Sequence, residues 1–299
     1  MCNKRGCQCE ENFDAEIAFK RLSEKYNDLA EIVANYLSEA DIADRSIRAK
    51  SAQRMAELLI RIVGGSRVAE GEYPECCLVG TKNVNGTSDW FCTGILVHPR
   101  IVLTAAHCFQ PGSSYVVALN TVNQNGLSKA EIIDVKKAVQ HAGYQQTGKF
   151  NDISVLVLSR TAATVPIQIA SSDEINTALN TTLVGFGNDD VNSTVGFGIK
   201  RVVSVPINSI RRAIHDNLDA DENYYDYESD LEFVAGGNGY DSCNGDSGGP
   251  AYIVVDGVRK LAGLTSRSTA RANTRCGDGG IYTRVDAHLN FISALTPIS

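Results

Sequence analysis

The sequence predicts an all-β domain over residues 62–299, preceded by a small α-helical segment over residues 1–61. After residue 62, short apolar runs alternate with turns of Gly, Asn, Asp and Ser, which is an all-β pattern. These runs cover residues 77–79, 95–97, 101–103, 155–158 and 253–255. Residues 10–60 contain neither proline nor glycine and are rich in Ala, Glu, Lys, Arg and Leu, a composition that favours helices.

The N-terminal segment has the spacing of a helix that packs along another helix. Apolar residues recur there at alternating intervals of four and three, which is a heptad seam. A break near residues 39–46 and a second helix over residues 45–59 predict a helical hairpin or small bundle. Three roles stay open: a structural prosegment packed on the following domain, self-association, or an adaptor that docks to a sensor protein. The seam consists of Ala15, Phe19, Leu22, Tyr26, Leu29, Val33, Tyr36 and Ala40.

Composition excludes several classes of function. The chain has 299 residues, of which 43% are hydrophobic, so it can bury a large core. Its net charge of -7 argues against non-specific nucleic-acid binding, which needs a basic face. No apolar run is long enough for a transmembrane helix, and the N-terminus has no apolar signal region. We therefore expect a cytoplasmic protein, with a secreted or periplasmic one as the alternative, and no cofactor or metal.

The run 245–250, Gly-Asp-Ser-Gly-Gly-Pro, has the features of a nucleophile turn. Glycine permits the tight turn that aims backbone N–H groups inward, and the N–H groups of Gly245 and Ser247 can stabilise an oxyanion. A serine hydroxyl is a weak nucleophile at neutral pH, so it needs a histidine base and a group that orients it. His107 follows a strand-like run and Asp152 begins another, so both are candidates.

These motifs resemble those of the trypsin/chymotrypsin-like serine proteases. The order His107, Asp152, Ser247 is that family's order, and the runs 62–65 (Ile-Val-Gly-Gly) and 280–285 (Gly-Ile-Tyr-Thr-Arg-Val) resemble two more of its motifs. The resemblance covers roughly residues 62–295. It implies two antiparallel six-stranded β-barrels with the active site between them, and a C-terminal helix over residues 286–292.

The resemblance also implies residue roles. Ser247 would be the nucleophile, His107 the base, Asp152 the orienting carboxylate, and Gly245 with Ser247 the oxyanion hole. Asp241 would lie at the base of the specificity pocket and select Arg or Lys, with Arg preferred. The other predicted pocket residues are Ser266, Ser268 and Gly280.

One position of the pocket departs from the family. Arg267 and Ser268 stand where the family usually has tryptophan and glycine. Two interpretations of Arg267 stay open: it favours an acidic substrate residue beside the cleavage site, or it pairs with Asp241 and closes the resting pocket.

The junction between the two segments predicts a zymogen. In the family, cleavage before the Ile-Val-Gly-Gly motif frees an amino group that pairs with the aspartate before the nucleophile. Here the cut would separate Arg61 from Ile62, and the new ammonium would pair with Asp246. A buried carboxylate is costly unless it is paired, so this pairing would order the oxyanion hole.

The cysteines give a further expectation. Two pairs, Cys92 with Cys108 and Cys243 with Cys276, match disulfides of the family. The adjacent Cys76 and Cys77 lie in an apolar run and are expected to fill the core as buried thiols. Cys2, Cys7 and Cys9 make a poor metal site without a fourth ligand.

The acidic, tyrosine-rich stretch 216–232 is expected to be a solvated surface loop near the cleft. Recognition of a basic substrate segment and docking onto the N-terminal helices are its alternatives.

The sequence as a whole predicts a zymogen serine endopeptidase that acts on proteins or peptides after Arg or Lys. The helical leader also fits an intracellular, triggered effector protease, for instance one that cuts a pore-forming gasdermin, by analogy with some microbial members of the family. The alternative class is a helical adaptor whose protease domain is silent or a passenger.

Overall fold

The computed structural model of the protein describes residues 65–188, 196–212, 217–237, 240–274 and 276–296. The predicted N-terminal helices, the Arg61–Ile62 bond and the cysteines near Met1 lie outside these residues. The division of the chain at residue 62 therefore stays a prediction.

The first half of the described chain forms a closed barrel of six antiparallel strands. After a short strand β1 (Ser66–Arg67), its strands are β2 (Cys76–Lys82), β3 (Ser88–His98), β4 (Ile101–Thr104), β5 (Tyr115–Leu119), β6 (Glu131–Gln140) and β7 (Ser154–Leu158). They pair in the order β2-β3-β4-β7-β6-β5, and β5 pairs back onto β2. Closure leaves this sheet without a free edge.

The second half forms another barrel of six antiparallel strands. Its strands are β8 (Asn180–Gly185), β9 (Arg201–Ser209), β10 (Glu232–Ala235), β11 (Pro250–Val255), β12 (Val258–Ser268) and β13 (Gly280–Arg284). They pair in the order β9-β10-β13-β12-β11-β8, β8 pairs back onto β9, and β1 adds to the outer edge of β9. The all-β prediction with two six-stranded barrels is confirmed.

One apolar core spans both barrels. Leu78, Ile95 and Leu103 of the first barrel belong to the same buried cluster as Tyr252 and Leu264 of the second. All five side chains are fully buried, and burying a large aliphatic side chain contributes about 1.5–3 kcal/mol. The two barrels therefore pack face to face, and the loops at their junction are held in place.

The described residues also form four short α-helices outside the barrels: α1 (Ala142–Thr147), α2 (Ser172–Thr177), α3 (Leu218–Tyr225) and α4 (Leu289–Leu295). The predicted C-terminal helix begins with one 3-10 turn, Asp286–His288, and continues as α4, which buries Ile292 against the shared core. No helix in the described residues is long and apolar enough to span a membrane.

None of residues 217–226 is buried, as expected for the stretch 216–232, but most of them form a helix and not a loop. Residues 218–225 form α3, which ends where Asp226 takes a left-handed conformation with φ of 62°. Beyond it, Tyr227 and Ser229 are buried, and the Tyr227 hydroxyl shares a 2.6 Å hydrogen bond with Ser209 Oγ. These buried polar contacts are long-range, so local composition does not reveal them.

Candidate active site

His107 and Asp152 meet because the strands that precede and follow them are paired. β4 pairs with β7 so that Thr104 lies opposite Ser154. His107 comes three residues after Thr104, in the 3-10 turn Ala106–Cys108, and Asp152 comes two residues before Ser154. Both side chains therefore leave the first barrel at the same end.

The Asp152 carboxylate fixes the orientation of the His107 ring. Asp152 Oδ2 lies 2.8 Å from His107 Nδ1, and Asp152 Oδ1 accepts the His107 backbone N–H at 2.9 Å. Ser266 Oγ of the second barrel donates a third hydrogen bond to Asp152 Oδ2, at 2.7 Å. A carboxylate only accepts, so the proton of a neutral His107 ring sits on Nδ1, and Nε2 keeps its lone pair.

Ser247 lies in a turn of the second barrel that contacts the first. Gly245 and Gly248 have φ of 97° and 76°, which is the left-handed region that glycine adopts without strain. A Cβ at Gly248 would overlap Thr104 Oγ1, so only glycine lets the turn come this close to the His107 segment. The Ser247 carbonyl accepts a hydrogen bond from the Thr93 N–H at 3.0 Å.

The groups expected to react have no partner within the described part of the chain. Neither Ser247 Oγ nor His107 Nε2 makes a hydrogen bond there. The backbone N–H groups of Gly245 and Ser247 also have no acceptor among the described residues. The Asn188 N–H donates to the Asn244 carbonyl at 2.9 Å, and in a trans peptide the next N–H, that of Gly245, points the opposite way. This N–H is therefore free to hold a ligand.

The Asp246 side chain lies against the end of β8, next to Gly185 and Gly187. Its carboxylate accepts the Gly187 N–H and the Cys243 N–H, each at 2.8 Å. Burial raises the pKa of Asp246 to about 6, against the effect of these two hydrogen bonds. The carboxylate lies beside a cavity of about 30 Å³, whose lining also includes Gly65 and Arg201. The cavity has room for about one or two small polar groups.

Asp241 is half-buried, lies next to β13 and lines the same cavity as Asp246. Its Oδ1 accepts the Ser242 N–H at 2.6 Å and the Tyr282 hydroxyl at 3.0 Å, whereas Oδ2 has no hydrogen-bond partner among the described residues. Burial raises the pKa of Asp241 to about 7. A Cβ at Gly280 would come within 2.7 Å of Oδ1, so the glycine leaves space at this carboxylate.

The other two predicted pocket residues lie near each other on β12. Ser268 stands opposite Gly280 in the β12–β13 ladder, at the side of Asp241. Ser266 is buried, and its hydroxyl is already used by Asp152. Ser266 therefore stabilises the His107–Asp152 pair through its hydrogen bond to Asp152. It also lies beside the predicted pocket.

Arg267 pairs with Glu232, a partner that the sequence did not suggest. Its Nη1 and Nη2 lie 2.5 Å and 2.9 Å from the two Glu232 carboxylate oxygens, and its guanidinium is over the Phe150 ring. The Glu232 side chain is 0% exposed and that of Arg267 is 23% exposed. Arg267 does not pair with Asp241, so the interpretation of a pocket closed by this arginine was wrong. A clue was the placement of Glu232 beside the apolar run 233–235, since a buried charge needs a partner.

Two disulfides hold the segments around these residues. Cys92 is bonded to Cys108 beside His107, and Cys243 is bonded to Cys276 beside Asp241 and Ser247, as predicted. Cys76 and Cys77 are free, buried thiols, and burial raises the pKa of Cys76 to about 12. Both fill the core, as expected.

Comparisons with known proteins agree with this geometry. The family model for Trypsin matches residues 62–292. The chain is 32% identical to a trypsin of Saccharopolyspora erythraea, over 77% of this chain and 96% of that protein. It is 29% identical to the venom peptide isomerase heavy chain of Agelenopsis aperta, over 78% and 98%, and 28% identical to coagulation factor IX of Oryctolagus cuniculus, over 92% and 100%. The match spans both barrels, the His107–Asp152 pair and the Ser247 turn, and the chain therefore belongs to the trypsin family of serine proteases.

Proposed function

We propose that the protein is an endopeptidase in which Ser247 is the nucleophile, His107 the general base and Asp152 the group that orients the base. The observation that carries this proposal is the His107–Asp152 hydrogen bond of 2.8 Å, formed at a junction where the Ser247 turn packs against the Thr104 segment. With the proton held on Nδ1, Nε2 can accept the serine proton.

The reaction follows from these positions. Ser247 Oγ bonds to the substrate carbonyl carbon, its proton moves to His107 Nε2, and the carbonyl π-electrons move to the oxygen. The N–H groups of Gly245 and Ser247 stabilise that oxyanion. The C–N bond then breaks, His107 gives its proton to the leaving amine, and an acyl-enzyme remains. Water, deprotonated by His107, repeats these steps and releases the acid and free Ser247.

Substrates with arginine or lysine at the cleaved bond fit Asp241 best. Burial of its carboxylate raises its pKa, and Oδ2 has no hydrogen-bond partner among the described residues. A guanidinium can satisfy such a carboxylate with two parallel hydrogen bonds, which favours arginine over lysine.

The pKa of Asp241 predicts how binding depends on pH. A cation gains the full attraction only when Asp241 is ionised, and its pKa of about 7 keeps it protonated in the empty pocket at lower pH. Benzamidine should therefore bind about tenfold more weakly for each pH unit below 7 and with constant affinity above it. Calorimetric titration between pH 5 and pH 9 measures this. The Asp241→Asn variant should lose both the affinity and the slope, which separates Asp241 from Asp246, whose pKa is about 6.

We further infer that cleavage between Arg61 and Ile62 activates the enzyme. Gly65 lines the cavity beside Asp246, and Ile62 lies three residues before it. Three residues span up to about 10 Å, enough for the Ile62 ammonium to enter that cavity. An ammonium next to Asp246 would offset the cost of its buried charge.

The test combines N-terminal sequencing and intact mass with an arginine-amide assay. Activity should appear together with a new N-terminus at Ile62 after brief trypsin treatment. Asp246→Asn should be cut equally well and stay poorly active, and Ser247→Ala should be cut and stay inactive. Full activity in an uncut chain would refute the activation step but leave the catalytic assignment intact.

A further inference from the structure

Thr93 is a buried residue of β3 whose hydrogen bonds cross from the first barrel to the second. It is 0% exposed. Its hydroxyl donates to the Gly245 carbonyl at 2.8 Å and accepts the Phe186 N–H at 3.2 Å. Its backbone N–H donates to the Ser247 carbonyl at 3.0 Å, and its carbonyl accepts the Thr104 hydroxyl at 2.8 Å. All of its polar groups are therefore in use.

These bonds fix both ends of the tripeptide 245–247. The hydroxyl holds the carbonyl of Gly245, and the backbone N–H holds the carbonyl of Ser247. Since peptide groups are planar, fixing these carbonyls restricts rotation of the chain that presents the two free N–H groups. Donors that are fixed before the reaction stabilise an oxyanion without reorganising during it.

The same hydroxyl links this tripeptide to the loop beside Asp246. Phe186, which donates to Thr93, immediately precedes Gly187, which donates to Asp246. One hydroxyl thus joins the two loops that flank the Asp246 carboxylate. A valine would fill the same volume, but it would leave the Phe186 N–H and the Gly245 carbonyl without their partner.

We propose that Thr93 is a positioning residue of the oxyanion hole, which acts by holding Gly245 and Ser247 through its hydroxyl and its backbone N–H. The proposal rests on the assignment of Ser247 as the nucleophile. It does not depend on which side chain Asp241 selects.

The test compares Thr93→Val with Thr93→Ser in the full chain after brief trypsin treatment. The rate at which a fluorophosphonate labels Ser247 reports the oxyanion hole, because the phosphonyl oxygen occupies it, and this reagent needs no arginine. Thr93→Val should slow labelling by about 10- to 100-fold, less than or comparable to the loss of one oxyanion donor. Its kcat on peptide amides should fall in parallel, with KM and benzamidine affinity within about twofold of the original. Thr93→Ser should restore the rate to within about threefold.

Thr181→Val is the matched control. Thr181 is also buried, and its hydroxyl donates to the Tyr252 carbonyl at 2.9 Å inside the second barrel. This variant should lose stability without slower labelling. Rapid labelling of Thr93→Val would overturn the proposal, as would equal slowing in Thr181→Val or no recovery in Thr93→Ser. A parent chain that resists labelling would instead refute the assignment of Ser247 itself.

Discussion

Replacing Asp152 with asparagine will lower kcat by about 10⁴-fold, the size of the effect in a related serine protease. The His107 backbone N–H donates to Asp152 Oδ1 and cannot rotate away, so the asparagine carbonyl will take that position. The amide NH₂ will then face His107 Nδ1, which must become an acceptor. The proton moves to Nε2, and His107 can no longer take the proton of Ser247.

Steady-state kinetics measures this effect, and Asp286→Asn is its control. The Asp286 side chain is only 4% exposed and is paired with Arg284 at 2.8 Å, so its replacement removes a similar buried charge outside the proposed catalytic residues. Asp286→Asn should lower thermal stability and leave kcat within a few-fold of the original. A loss of less than tenfold in Asp152→Asn, or one confined to KM, would contradict the role given to Asp152.

Replacing Arg267 with alanine will destabilise the fold by about 3 kcal/mol, at the lower end of the range for a broken buried ion pair. The Glu232 carboxylate is 0% exposed and would lose its bidentate partner, so a buried polar group would be left poorly satisfied. We expect a loss of stability at the lower end of that range because 23% of the Arg267 side chain is exposed to solvent. Denaturant unfolding of the Ser247→Ala background, which prevents self-digestion, measures the difference.

Two further variants separate the buried charge from lost packing. Arg267→Met combined with Glu232→Leu should recover most of the stability, because no charge is then left buried. Lys82→Ala breaks an ion pair with Asp134, in which both side chains are well exposed, and should cost less than about 1 kcal/mol. If the double variant is as unstable as Arg267→Ala alone, the ion pair is not the cause.

The sequence was sufficient for the fold and for the identity of the residues that meet at the junction. The Ser247 turn, His107 and Asp152 lie in short motifs whose order is specific, and alternating apolar runs predict strands. The two disulfides followed from the same resemblance and are present. These features follow from short sequence motifs, which can be recognised without knowing which distant residues are in contact.

What the sequence could not provide were contacts between distant residues. Arg267 and Glu232 are 35 positions apart. The apolar run beside Glu232 indicates that this carboxylate needs a partner, but nothing in its neighbourhood identifies Arg267. The sequence predicts only that Thr93 is a strand residue, although its hydroxyl donates to the carbonyl of Gly245, which lies 152 positions later. The helix α3 was missed because its polar composition suits a loop equally well.

The hydroxyl of Ser266 comes from the second barrel, yet it bonds to Asp152 at the edge of the first. Thr93 makes the reverse crossing. The groups proposed to react are thus held by an interface within one chain, much as two subunits share a site. On this proposal, catalytic activity depends on how the two barrels are aligned. A ligand or mutation that shifts one barrel against the other would then lower activity without contacting a reacting atom.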